Sequence, residues 1–114
     1  MRTLVLLPLL VALVAACGTA RRGPPAAELS LGPAAQRGEL VFMAQCNQCH
    51  PGGEGGLGFA LNNKPLPGSL IAFQVRNGLG AMPAFPETVI SERELADLVA
   101  YLLELRRSPA PAEG

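Results

Sequence analysis

Apolar residues recur at helical spacing in three stretches of this chain, and the segments between them break every such spacing. From Ala34 onward, Leu40, Met43 and Ala44 fall at i, i+3 and i+4, with Val41 and Phe42 widening the apolar face, so a helix is expected to run up to Cys46. Residues 51–67 contain Pro51-Gly52-Gly53-Glu54-Gly55-Gly56 and Lys64-Pro65-Leu66-Pro67, which predict a loop. A short helix is expected after Gly68, with Ser69 as N-cap, Leu70, Ile71, Phe73 and Val75 as its apolar positions and Gly78 as its stop. The strongest pattern comes last. Ser91-Glu92-Arg93-Glu94 has the form of a capping box, Leu95, Leu98, Val99 and Leu102 stand at i, i+3, i+4 and i+7, and Arg106-Arg107 suit the C-terminal end. No period-two pattern competes, so the fold class is all-α.

The N-terminus follows a different rule. Met1-Arg2 gives a positive start, and Leu4 to Ala16 is an apolar run interrupted only by Pro8, too short to span a bilayer in the usual way. Residues 1–16 therefore read as an export signal. Val14-Ala15-Ala16-Cys17 resembles the lipobox of bacterial lipoproteins, in which the signal is cut before the cysteine and that cysteine becomes the diacylglycerol-modified N-terminus. An ordinary secretory signal with a chance cysteine is the alternative, but it leaves a lone thiol in an oxidising compartment. Residues 17–33, rich in Gly, Pro and Ala, read as that lipidated N-terminus and a flexible linker, and residues 108–114 as a disordered tail. The folded domain is then 34–107, exported and anchored by lipid to the outer face of the cytoplasmic membrane, or held in the periplasm or at the outer membrane.

Composition sharpens the picture of that domain. With 114 residues, no Trp and only 4% aromatic residues, the chain offers a thin core that needs a staple. A candidate staple stands at Cys46-Asn47-Gln48-Cys49-His50, which has the C-x-x-C-H form of a covalent c-type haem attachment site. The spacing has a chemical reason: two cysteines on one turn add their sulfurs to two vinyl groups of one porphyrin, and the adjacent histidine lies under the iron as proximal ligand. Zinc needs four ligands, whereas His50 is the only histidine and Cys17 is far away. A dithiol redox pair belongs after a strand, and the residues before Cys46 read as helix. A Cys46–Cys49 disulfide closes too small a loop to stabilise much and leaves His50 unexplained.

The second axial position has few candidates. Met1 leaves with the signal, and Met43 lies one turn before Cys46, on the wrong side to reach the distal face. Met82 sits in Gly78-Leu79-Gly80-Ala81-Met82-Pro83, a loop irregular enough to point a thioether at a metal; its alternative role is to fill a gap. His/Met ligation raises the reduction potential and suits electron transfer.

Together these residues resemble the class I monohaem c-type cytochromes over about residues 34–106. Gly38 and Phe42 match that family's G-x-x-x-[FY] on the first helix, and Leu98 and Tyr101 its L-x-x-[YFW] on the last. The resemblance implies a small cytochrome c fold, three to four helices wrapped around one covalently bound haem, with Gly38 letting the terminal helices approach closely and Tyr101 packing at their contact. It also implies that a carbonyl after the haem motif accepts a hydrogen bond from the proximal histidine. Many members place that carbonyl on the proline of a Gly-Pro-x-Leu segment, whereas this chain reads Gly58-Phe59-Ala60-Leu61, so Phe59 takes the place of proline. Leu57, Phe59 and Leu61 are the implied haem-packing residues.

Charge bounds the partners. Residues 34–107 hold six Lys/Arg against seven Asp/Glu with no basic stripe, which gives no support for nucleic acid or for docking by a strongly basic face. Contact is expected through the apolar surface around the haem edge. The leading expectation is a membrane-tethered single-electron carrier, taking electrons from a quinol-oxidising complex or a dehydrogenase and passing them to an oxidase or other acceptor. The alternative is a fixed haem subunit of a larger complex, such as a thiosulfate-oxidising or dehydrogenase complex. A haem enzyme or gas sensor needs an open iron site, which Met82 is placed to close; no small-molecule substrate is expected.

Overall fold

The structure is a computed structural model that describes residues 29–107, so the expected signal, Cys17, most of the expected linker and the expected 108–114 tail lie outside it. Three α-helices make up the described part: α1 (Pro33–Gln45), α2 (Gly68–Asn77) and α3 (Glu92–Arg107), with one 3-10 turn at Pro51–Gly53. No described residue belongs to an extended sheet strand; the lone bridge pairs Leu79 with Met82.

α1 begins with Pro33 in its first turn, where a missing N–H costs nothing. Its buried face differs from the expected one. Ala35, Gly38 and Phe42 are buried, while Leu40 and Met43 are 71% and 54% exposed. The reason is the neighbour: α1 lies against α3 so closely that small residues must line the contact. A Cβ built on Gly38 would stand 1.9 Å from the Asp97 carbonyl oxygen, a backbone atom that cannot move aside.

Beside this contact, Arg37 donates from Nε to Asp97 Oδ2 at 2.7 Å and from Nη2 to Asp97 Oδ1 at 2.8 Å. The paired hydrogen bonds hold the Asp97 carboxyl below its ordinary range, and they explain how an acid comes to lie on the inner face of α3. Neither side of this pair is visible in the apolar spacing.

α3 follows its sequence pattern. Glu94 Oε2 accepts from the Ser91 N–H at 2.8 Å, and Ser91 Oγ accepts from the Glu94 N–H at 3.3 Å, which is the expected capping box. Leu95, Leu98, Tyr101, Leu102 and Leu105 are buried, and they form one core with Phe42, Val75 and Ile90. α2 departs at its start: Pro67 is the N-cap, without a side-chain bond, and Ser69 lies inside the first turn. Proline already fixes the extended backbone that an N-cap requires, so the serine is not needed there. Leu29 and Leu31 pack against the core, and Gln36 Nε2 donates to the Leu31 carbonyl at 2.8 Å. The packed domain thus takes in residues that the sequence assigns to the linker.

Tyr101 and Phe42 meet with ring centroids 5.3 Å apart in a tilted arrangement, and both are fully buried. The Tyr101 hydroxyl is buried with no hydrogen-bond partner among the described residues, and burial, with the nearby Glu39 charge, pushes it up to about 12. Its ring, not its oxygen, therefore serves the fold. Tyr101→Phe is expected to melt at the same temperature or higher, while Tyr101→Ala loses roughly 3–5 kcal/mol in denaturant unfolding.

Candidate haem site

Cys46 is the C-cap of α1, so the helix delivers the C-x-x-C-H motif directly. The chain then turns tightly: the Cys49 and His50 N–H groups donate to the Cys46 carbonyl at 3.1 and 2.9 Å. This turn brings both sulfurs and the imidazole into one short segment. The two cysteines are not joined in a disulfide and both are half-buried; before any attachment, burial, reinforced by the neighbouring Cys49, pushes the Cys46 thiol up to about 11. Among the described residues, no three of the His, Cys, Asp and Glu side chains gather into a set that could hold a metal ion by themselves.

His50 is oriented by the loop on its C-terminal side. Its Nδ1 lies 2.8 Å from the Phe59 carbonyl oxygen. A carbonyl can only accept, so Nδ1 carries a proton, and in the neutral ring Nε2 then keeps the lone pair that a metal needs. The structure therefore supplies the hydrogen bond that the family pattern assigns to proline, through the backbone of a phenylalanine. Nothing in that bond requires a proline ring.

The carbonyl is placed by the loop itself. Gly58 N–H donates to the Cys49 carbonyl at 2.8 Å and Gly56 N–H to the Gly58 carbonyl at 2.9 Å, which folds residues 56–59 back over the motif. Gly58 then lies so close to the imidazole that a Cβ on it would fall 2.2 Å from His50 Cε1. Sequence reasoning names Gly58 only as part of a motif. Its role against the ring is a contact that no spacing rule signals.

Met82 is presented on a short reversal of the chain. Leu79 N–H donates to the Met82 carbonyl at 3.1 Å, and Met82 N–H donates to the Leu79 carbonyl at 2.9 Å. Gly78 permits this: its φ is +70°, and a Cβ on it would meet the Met82 carbonyl oxygen at 2.6 Å. Met82 is partly buried and packs against the core.

The haem-packing candidates divide. Leu61 packs against the core, whereas Leu57 and Phe59 are 88% and 83% exposed. Leu40, Met43, Leu70, Phe73, Leu79 and Val89 are exposed as well. So many bare large apolar side chains on so small a domain ask for an apolar covering. A flat apolar porphyrin fits this chain on three counts: two sulfurs one turn apart and not paired with each other, an imidazole hydrogen-bonded through Nδ1, and apolar surface that the described residues leave uncovered. Two surface depressions, of about 440 and 300 Å³, lie elsewhere, the first lined by residues 62–67 with Arg106 and the second between the start of α1 and the end of α3.

An all-α domain whose first helix runs into C-x-x-C-H, with an oriented histidine and a methionine on a separate reversal, defines the class of c-type cytochromes. A family model described as cytochrome c oxidase, cbb3-type, subunit III matches residues 33–102, and the chain belongs to that family. It is a monohaem c-type cytochrome, an electron-transfer protein with covalently bound haem c. The cytochrome c subunit of 4-cresol dehydrogenase (hydroxylating) from Pseudomonas putida is 39% identical over 75 residues, covering 66% of this chain and 63% of that protein. Cytochrome c6 of Gloeothece citriformis is 38% identical over 78 residues, covering 61% of this chain and 70% of its own. Cytochrome c6 of Pyropia yezoensis is 31% identical over 88 residues, covering 68% and 76%. No solved structure gives a significant match.

Proposed function

We propose that this cytochrome is a single-electron carrier tethered at a membrane surface in a respiratory or related chain, in which Cys46 and Cys49 would be the thioether attachment points and His50 and Met82 the side chains that would hold the haem iron. The observation that carries this reading is the hydrogen bond from His50 Nδ1 to the Phe59 carbonyl, which fixes the imidazole with Nε2 free to ligate. Bound haem supplies a one-electron iron couple. The protein's own residues do the rest: the Phe59 carbonyl orients the proximal ring and raises its basicity, Gly58 keeps space beside it clear, and the Gly78–Met82 reversal presents a soft thioether from a separate segment. One electron enters and one leaves, with no bond made or broken in a substrate.

Donor and acceptor are redox proteins: a quinol-oxidising complex or a dehydrogenase on one side, an oxidase or comparable acceptor on the other. Docking uses the exposed apolar side chains near the attachment site, because the domain carries almost balanced charge. The tether is a lipid on Cys17, after removal of residues 1–16, with the linker between Cys17 and the domain. No helix among the described residues is long and apolar enough to cross a membrane.

A second reading is a haem subunit fixed in a larger oxidoreductase. It is favoured by the similarity to a cytochrome subunit of a dehydrogenase.

Mass spectrometry of the protein purified from membranes of a host with haem-maturation machinery tests the attachments together. The expected mass is that of the chain from Cys17 onward plus one haem and the lipid modification. A mass without haem overturns the site, and an unmodified Cys17 overturns the tether. Co-purification of a stoichiometric partner decides for the second reading.

A further inference from the structure

Arg76 lies in the last turn of α2, six residues before Met82, and its side chain is only 19% exposed. Its guanidinium is committed to the segment that carries Met82. Nη1 donates to the carbonyl oxygens of Phe85 at 2.9 Å and Ile90 at 2.6 Å, and Nη2 donates to Glu92 Oε1 at 2.8 Å. The residue before it acts on the same place, since the Val75 carbonyl accepts from the Phe85 N–H at 2.9 Å. α2 thus fastens the chain at Phe85, three residues past Met82, and again at the fully buried Ile90. At the near end, the Gly78 N–H donates to the Gln74 carbonyl at 2.7 Å. Met82 rides on the short arc between these fixed points.

We infer that Arg76 is a positioning residue for the sixth ligand, an inference that rests on Met82 being that ligand. Residues 78–91 contain no helix and no ladder beyond the Leu79–Met82 pair, and segments of this kind open locally at small cost. A thioether carried on such an arc is at the iron only while the arc is closed. Arg76 holds it closed from the core side. Two carbonyls and a carboxylate in different directions call for the planar, multi-donor guanidinium, and a lysine ammonium cannot reproduce that fork. The ring of bonds also explains why a charged side chain is tolerated in this half-buried position.

The test uses the full chain with its haem attached, as wild type, Arg76→Leu, Arg76→Lys and Arg37→Leu. The last cuts the α1–α3 ion pair, which shares no hydrogen bond with the arc or with Arg76, and serves as a control for lost stability. Arg76→Leu, which removes all three of the guanidinium hydrogen bonds, is expected to weaken the far-red absorption of the methionine-bound ferric form, lower the reduction potential and speed carbon monoxide binding to the ferrous form by at least about ten- to a hundredfold, the change in open population that the loss of even one charge-assisted hydrogen bond produces. Arg76→Lys falls between it and wild type. Arg37→Leu melts earlier but keeps all three values. The inference is overturned if both Arg76 variants match wild type, or if Arg37→Leu shifts the three readouts as much as they do. If Arg76→Leu does not fold, Arg76→Lys decides by the same criteria. A wild type that lacks the far-red band and binds carbon monoxide readily overturns Met82 ligation itself, and this inference with it, before any variant is compared.

Discussion

Replacing Met82 with alanine is expected to convert a closed haem into an open one. The ferric protein loses its weak far-red band, the reduction potential falls, and the ferrous iron binds carbon monoxide. The direction of the potential comes from softness: a thioether favours ferrous over ferric iron, so its loss stabilises the ferric state. The loop should survive the change. The Leu79–Met82 pair is made by backbone groups, and Gly78 and the Phe85 anchor do not involve the thioether. Spectral redox titration and carbon monoxide binding read the outcome. An unchanged spectrum and potential in Met82→Ala means that another residue closes the site, and the assignment falls.

Gly38→Ala is expected to be the most damaging single methyl addition in the domain. The new Cβ would sit 1.9 Å from the Asp97 oxygen, 2.4 Å from its carbonyl carbon and 2.9 Å from the Leu98 nitrogen. All three are backbone atoms in the middle of α3, so no rotamer change relieves the clash and the helices must part. Parting them strains the bidentate Arg37–Asp97 pair and loosens the Phe42–Tyr101 contact beside it. Overpacking of this kind costs about 3 kcal/mol or more, a large share of the stability of so small a domain. Urea unfolding of the haem-loaded protein measures it. A midpoint close to wild type shows that the helices can separate freely, and the tight-crossing account then fails.

How much of the fold and site is legible in the sequence depends on how local the cause is. α3 is readable because its cap and its apolar stripe lie within the helix, and the structure returns both. The inner face of α1 is not, because Leu40 and Met43 are the larger apolar residues there and draw the expected face toward themselves. Closeness to α3 favours Ala35 and Gly38 instead, and only the G-x-x-x-[FY] resemblance points to this. The C-x-x-C-H signal is local and strong. The Phe59 carbonyl is anticipated by analogy, and its 2.8 Å distance to His50 is the geometry that analogy requires. By contrast, the Arg37–Asp97 and Arg76 contacts join residues 60 and 9 to 16 positions apart, where charge alone names no partner.

The two helices of the main interface stand at opposite ends of the described chain, and Arg37 and Asp97 meet across 60 residues. Closing so long a loop carries a length-dependent entropy cost of roughly 4 kcal/mol before any contact between the helices repays it. α1, α2 and the segment between them emerge from synthesis without the surface that buries Phe42. The domain therefore cannot be completed from its N-terminal end, and stepwise shortening at the C-terminus should not give a graded loss. Once a truncation removes the turn holding Leu98 and Tyr101, α1 has nothing to pack against, and both ends of the domain come apart together.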